Sequence, residues 1–174
     1  KVLLPDGSRE VVPGSGEVGM VAQCGMVPLG YYKDPEKSAK TFKEIDGTRY
    51  AFIGDMATID ADGTINLLGR GSNCINTGGE KVFPEEVEEA LKLHPDVADA
   101  LVFGLEDERF GNRVAGVVSL EQGGSADAGD ILEATRKLLA SYKLPKDLLV
   151  VPVVPRAPNG KADYKTAKSM MADS

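Results

Sequence analysis

Residues 78 to 88 run Gly78-Gly79-Glu80-Lys81-Val82-Phe83-Pro84-Glu85-Glu86-Val87-Glu88: two glycines, a short apolar step, then a proline followed by carboxylates. Pro84 suits the first turn of a helix, where its missing N–H is no loss, and Glu85, Glu86, Glu88 and Glu89 favour the positive end of the helix dipole. Val87, Ala90, Leu91 and His94 fall on one face before Pro95 stops the helix. Downstream, Ala98 to Gly104 and Arg113 to Leu120 read as strands separated by the polar turn Glu106-Asp107-Glu108-Arg109. Asp130 to Tyr142 reads as a second amphipathic helix and Leu148 to Val154 as a last buried strand. Helix, strand, strand, helix, strand within about a hundred residues is the order of a small α+β domain.

Upstream the texture changes. Residues 1 to 70 carry short apolar stretches cut by Pro5-Asp6-Gly7, Pro13-Gly14-Ser15-Gly16 and Asp60-Ala61-Asp62-Gly63, the pattern of strands joined by tight turns. One helix interrupts them, started by Asp34-Pro35-Glu36 and expected to run to about Ile45. The sequence therefore divides into a β-rich piece, 1–70, and an α+β domain, 71–174, with neither internal repeats nor low-complexity tracts.

Composition excludes several classes of function. With 42% hydrophobic residues and a net charge of −7, the chain has the balance of an ordinary globular protein, and its 20 cations are scattered, so nucleic acid is not expected as a partner. No apolar run approaches the roughly 18 residues of a membrane span. Cys24 and Cys74 match neither a redox nor a zinc spacing, which fits a cytoplasmic protein, and a single His makes a dedicated transition-metal site unexpected. The chain opens at Lys1, and a start without Met is expected of a piece of a longer protein.

Three loop stretches carry candidate chemistry. Gly54-Asp55 lies between apolar runs, where the carboxylate can accept from vicinal ribose hydroxyls or serve as a turn Asp. Gly69-Arg70-Gly71-Ser72 and Thr77-Gly78-Gly79-Glu80 offer glycines that allow close approach of a ligand or form tight hairpins. Pro155-Arg156-Ala157-Pro158-Asn159-Gly160-Lys161 is a stiffened loop whose terminal Lys can meet a phosphate or be solvated. It is not a Walker loop, because the required helix and glycine spacing are missing.

In order and spacing these stretches resemble the C-terminal third of the adenylate-forming superfamily of acyl-CoA synthetases, luciferases and nonribosomal adenylation domains. The matching residues are Gly30-Tyr31-Tyr32 to Phe42, Gly54-Asp55, Gly69-Arg70, Gly78 to Glu88, His94-Pro95-Asp96-Val97, Asp107 to Gly111 and Pro158-Asn159-Gly160-Lys161. Gly71-Ser72-Asn73-Cys74-Ile75-Asn76-Thr77-Gly78-Gly79-Glu80 is worded most like actinobacterial fatty-acid and steroid-acid CoA ligases. The resemblance implies a ligase in which a carboxylate attacks ATP to give acyl-adenylate and pyrophosphate, and CoA then displaces AMP. It further implies that Asp55 and Arg70 bind the nucleotide, that Lys161 is catalytic in adenylation, that Gly78 and Gly79 border the pantetheine channel, and that Ser72 marks a hinge. Carboxylic acid, ATP, CoA and Mg²⁺ would serve the intact enzyme, with none held tightly by this piece and no metal ligand within it.

Three departures qualify the match. Ser72 stands where most relatives carry Asp or Lys, Asn76 where some carry a second lysine, and Ile53 where threonine is common. The family's phosphate loop, its Mg²⁺-binding glutamate and most of its acyl pocket would lie upstream, in an N-terminal domain of the same chain. Without that domain, the first 70 residues are expected to expose apolar surface and invite self-association. Two other classes stay open: an adenylating ligase that hands its acyl group to a carrier protein, and a non-enzymatic α+β binding module.

Overall fold

A computed structural model of the chain describes residues 1–173, which form two compact units that divide between Ser72 and Asn73. In the first, β1 (Val2–Leu3), β2 (Gly19–Gln23), α1 (Pro35–Thr41), β3 (Phe42–Ile45), β4 (Thr48–Ile59) and β5 (Ile65–Arg70) follow in order. They build a five-stranded antiparallel sheet around β4, whose first residues pair with β3, whose middle pairs with β2 and whose end pairs with β5. Val2, Val11, Ala57 and Ile59 form one small apolar cluster, and Leu3, Ala22, Tyr50 and Phe52 another.

The helix expected from Asp34 to Ile45 is shorter than its start signal suggests. Asp34 caps it as read, accepting from Lys37 N at 2.9 Å, but α1 ends at Thr41 and Phe42–Ile45 is a strand. The reason is Asp46-Gly47, with φ of 50° and 71°, a tight turn that pairs Ile45 with Thr48 and so draws Phe42–Ile45 into a hairpin.

The second unit contains β6 (Ile75–Thr77), β7 (Glu80–Val82), α2 (Pro84–Lys92), β8 (Val97–Asp107), β9 (Gly111–Leu120), α3 (Ala128–Thr135), β10 (Asp147–Val150) and α4 (Tyr164–Ala172). Strand β9 is central, antiparallel to β8 and parallel to β10. Side chains alternate across this sheet. Ala100, Val102, Val114 and Val118 pack with Val87 and Leu91 of α2, Ile131 of α3, and Ile75 and Val82 of the β6–β7 hairpin. Leu101, Phe103, Ala115 and Val117 pack on the other face with Val151, Val154 and Ala167 of α4. Burial on both faces is what the near-continuous apolar runs of β8 and β9 demand.

Three expected boundaries move, and one further helix is present. The β8–β9 loop is Glu108-Arg109-Phe110, because Glu106 and Asp107 are the last residues of β8; Asp107 Oδ1 closes the loop by accepting from Arg109 N at 3.0 Å and Phe110 N at 2.9 Å. Helix α3 spans Ala128–Thr135, not Asp130 to Tyr142: an Asp127/Asp130 capping box starts it earlier, and its end tightens to three-residue bonds such as Leu138 N to Thr135 O. Strand β10 ends at Val150, since Pro152 has no N–H for the ladder. Helix α4 was not anticipated; Asp163 caps it by accepting from Thr166 N at 3.1 Å.

One polar group sits at the α2–β8 interface. Glu88 accepts from Val102 N at 2.9 Å, and burial pushes its carboxyl up to about 7, helped by Glu85 and opposed by the Val102 bond and by Arg156 and Lys92.

Two outcomes are expected. Leu91→Ala, which empties a fully buried position, should cost about 2–5 kcal/mol in urea unfolding, whereas the exposed Leu93→Ala should stay within about 0.5 kcal/mol. Because the folded Glu88 pKa lies above its unfolded value, its contribution is fully present below pH 4.5 and is lost as pH rises through about 7. Glu88→Gln keeps an acceptor for Val102 and removes the charge, so it should raise stability by about 1–3 kcal/mol at pH 8, with the gain shrinking toward pH 5. Melting curves across that range that show no pH-dependent difference would refute this account.

Candidate functional site

In the first unit, Asp55 and Arg70 are brought together by strand register. They are direct partners across β4 and β5, and Arg70 Nε lies 3.0 Å from Asp55 Oδ1. Gly54, just before Asp55 in β4, has a φ of 93°, and Arg70 also donates to Ile53 O at 3.3 Å. With Arg70 58% exposed, the pair adds at most about 1 kcal/mol to stability. Its importance is geometric: Asp55 is not a turn residue but lies within β4, its carboxylate beside the guanidinium of Arg70 at the end of β5. Ser72 lies just beyond β5, inside a short 3₁₀ turn, Gly71–Asn73.

The second unit carries the other candidates on two separate loops. Gly78 and Gly79 are the two turn residues between Thr77 and Glu80, with φ of 60° and 92°. Such a turn requires positive φ at both positions, which alone accounts for glycine. Their surroundings differ. A Cβ on Gly78 would lie 3.1 Å from Phe110, whose carbonyl accepts from Gly78 N at 2.9 Å, while a Cβ on Gly79 would meet nothing within 4 Å. Gly79 therefore faces open space beside a turn pinned to the β8–β9 loop. The Phe110 ring also has the Lys146 ammonium 4.0 Å from its centroid and the Arg109 guanidinium at 5.0 Å.

Lys161 is exposed at the end of a loop closed by pairing of Arg156 with Ala162. Inside the loop, Ala157 N donates to Lys161 O at 2.8 Å, Gly160 N to Ala157 O at 2.8 Å, and Lys161 N to Asn159 Oδ1 at 3.1 Å. At its base Arg156 forks onto Asp99 of β8, Nε to Oδ2 at 2.8 Å and Nη2 to Oδ1 at 2.7 Å. That guanidinium holds the Asp99 carboxyl below the usual carboxylate range, and Asp99 in turn raises Arg156. Behind it, burial pushes the Tyr164 hydroxyl up to about 12, with Glu88 and Glu85 adding to the shift.

The two loops spring from opposite faces of one sheet. Ile75 and Val82, flanking the glycines, belong to the apolar cluster on the α2 face; Val154 and Ala162, flanking Lys161, pack on the α4 face. Sequence reading missed Arg156, Asp99, Glu88 and Phe110 as contributors. Only the position of Asp99, directly before the apolar run Ala100-Leu101-Val102-Phe103, could have marked one of them as a carboxylate at the start of a buried strand. Among the described residues, no cluster of three or more His, Cys, Asp or Glu side chains can hold a metal ion, and no helix is long and apolar enough to cross a membrane.

Residues 86–161 match the family model of the AMP-binding enzyme C-terminal domain. The chain is 52% identical over 166 residues to a 3-oxocholest-4-en-26-oate–CoA ligase of Rhodococcus rhodochrous, covering 95% of this chain and 30% of that protein. It is likewise 52% identical over 169 residues to a medium/long-chain-fatty-acid–CoA/3-oxocholest-4-en-26-oate–CoA ligase of Mycolicibacterium smegmatis, covering 97% of this chain and 31% of the relative. The chain thus spans about three tenths of the length of these curated relatives. Among solved structures, the amide bond synthetase McbA of Marinactinospora thermotolerans superposes with a TM-score of 0.83 at 30% identity, over 98% of this chain and 34% of the synthetase. The mixed α+β architecture agrees with that likeness: residues 86–161 carry the match to the AMP-binding enzyme C-terminal domain, and nearly the whole chain is similar to part of each of these longer proteins.

Proposed function

We propose that this chain is the C-terminal portion of an ATP-dependent acyl-CoA ligase acting on a fatty acid or a steroid side-chain acid in the cytoplasm. The observation that carries the proposal is 52% identity to ligases of those acids along nearly the whole chain, through both units. In the first step a carboxylate oxygen attacks the α-phosphorus of ATP and the bond to pyrophosphate breaks. In the second the sulfur of CoA attacks the acyl carbonyl, its proton is released, and the bond to AMP breaks.

Within this chain, Asp55 accepts from the ribose hydroxyls while Arg70 steadies the carboxylate and the nucleotide. Lys161 offsets charge on the carboxylate and α-phosphate during adenylation. Gly79 keeps open the path of the pantetheine arm. Because the glycine loop and the lysine loop belong to opposite sheet faces, a rotation about a hinge near Ser72 would let one rigid domain serve the two half-reactions in turn. Mg²⁺ accompanies ATP in such ligases; the described residues provide no cluster for it, and no step here runs through a metal. A second reading, transfer of the acyl group to an acceptor other than CoA such as a carrier protein, is favoured by the likeness to an amide bond synthetase. Thioester formation with CoA by the full-length protein separates the two.

Residues 1–174 alone are expected to turn over no acid with ATP and CoA, because Lys161 and Asp55 act there without a phosphate loop to position ATP. Acyl-CoA formation by that polypeptide would overturn this division of labour. In the full-length enzyme, Lys161→Ala should slow adenylation by about 10²-fold, read by pyrophosphate exchange, while sparing thioester formation from supplied acyl-adenylate. Gly79→Leu should do the reverse, with melting curves to correct for strain at its positive φ. Equal loss of both half-reactions in both folded variants would refute the alternating mechanism.

A further inference from the structure

We infer that Arg156, through its two-pronged ion pair with Asp99, is the positioning residue that sets where Lys161 stands during adenylation. The inference rests on the role proposed above for Lys161. Within the loop, the bonds among Ala157, Asn159, Gly160 and Lys161 are internal, so these residues move as one small body. Its orientation is decided at the base. Among the described residues from Pro155 to Lys161, Arg156 is the one whose side chain hydrogen-bonds to another element of the domain, to both oxygens of Asp99 and, at 3.5 Å, to Ala100 O.

The attachment is directional. A guanidinium meeting a carboxylate through two parallel N–H···O bonds fixes an angle as well as a distance, which a lysine ammonium does not. Each side chain keeps about a third of its surface in contact with solvent, so the pair is partly screened and its value lies in direction more than in strength. Another charge acts on the same guanidinium: Glu88 of α2 attracts it, and the Tyr164 hydroxyl of α4 also interacts with it. Asp99 itself sits near the start of β8, and the next two residues, Ala100 and Leu101, are buried on opposite sheet faces, which joins the anchor to the core. The ion pair thereby adds a directional tie to the packing of Ala162 beside the lysine, and a small tilt there displaces the ammonium of Lys161. A displacement of about 1 Å at a reacting centre costs on the order of 10²-fold in rate.

The full-length enzyme provides the test, with Lys161→Ala as reference. Arg156→Lys, Arg156→Ala and Asp99→Asn should each lower kcat for adenylation by about 10-fold or more with little change in KM for ATP. Thioester formation from supplied acyl-adenylate should be nearly unchanged in all three, which also reports that the variants are folded. The double variant Asp99→Asn/Arg156→Lys should be no worse than the poorer single one, since both break the same tie. If Lys161→Ala slows adenylation while the Arg156 and Asp99 variants do not, or if these variants lose both half-reactions equally, the positioning role is wrong and the function of Lys161 stands. If Lys161→Ala leaves adenylation intact, the functional reading fails and this inference with it.

Discussion

The β8–β9–β10 sheet is apolar on both faces, and most of the second unit follows from the need to cover it twice. Val102, Val114 and Val118 point one way, Leu101, Phe103 and Val117 the other, and each is almost wholly buried. At about 25 cal/mol per Å² of apolar surface, leaving either face to water would outweigh every surface ion pair in the domain. One face is closed by α2, α3 and the β6–β7 hairpin, the other by α4 and the segment from Val151 to Val154. The candidate loops are the connections within those two covers. Their placement is a by-product of how the core is sealed.

Polar residues on α2 tie the cover to its surroundings. Glu86 accepts from Lys143 Nζ at 2.6 and 2.8 Å across to the turn before β10, in a pair about three-quarters buried. Glu88 takes the Val102 N–H. The acidic run after Pro84 therefore does more than favour a helix dipole, because two of its members reach separate partners on the sheet side while Glu89 pairs with Lys92 in the same helix.

How far the sequence could be read follows from the range of each signal. Pro84 with its carboxylates, the Asp34 cap and the tight turns are local, and each appears where expected. Reading failed where two local signals competed or where a contact was distant. The helical start at Asp34 outweighed Asp46-Gly47, whose turn claims Phe42 for a strand. Helix α4 is short and weakly amphipathic, and it is explained by the apolar face it covers more than by its own composition. Of the site, Asp55, Arg70, Gly78, Gly79, Ser72 and Lys161 were singled out through resemblance; the Asp55–Arg70 contact needed strand register, and the Arg156–Asp99 tie joins residues 57 apart, beyond any periodicity.

Helix α4 closes the face presented by Leu101, Phe103, Ala115 and Val117, yet it follows them in sequence by many residues. A ribosome delivers the chain in that order. During synthesis the β8–β9 hairpin therefore emerges with one side already matched by α2 and the other bare, and it stays bare until the lysine loop and α4 have cleared the exit tunnel. The loop that carries Lys161 is thus among the last pieces to find its place, and for that interval the nascent domain offers an oily sheet surface to chaperones and to other nascent chains.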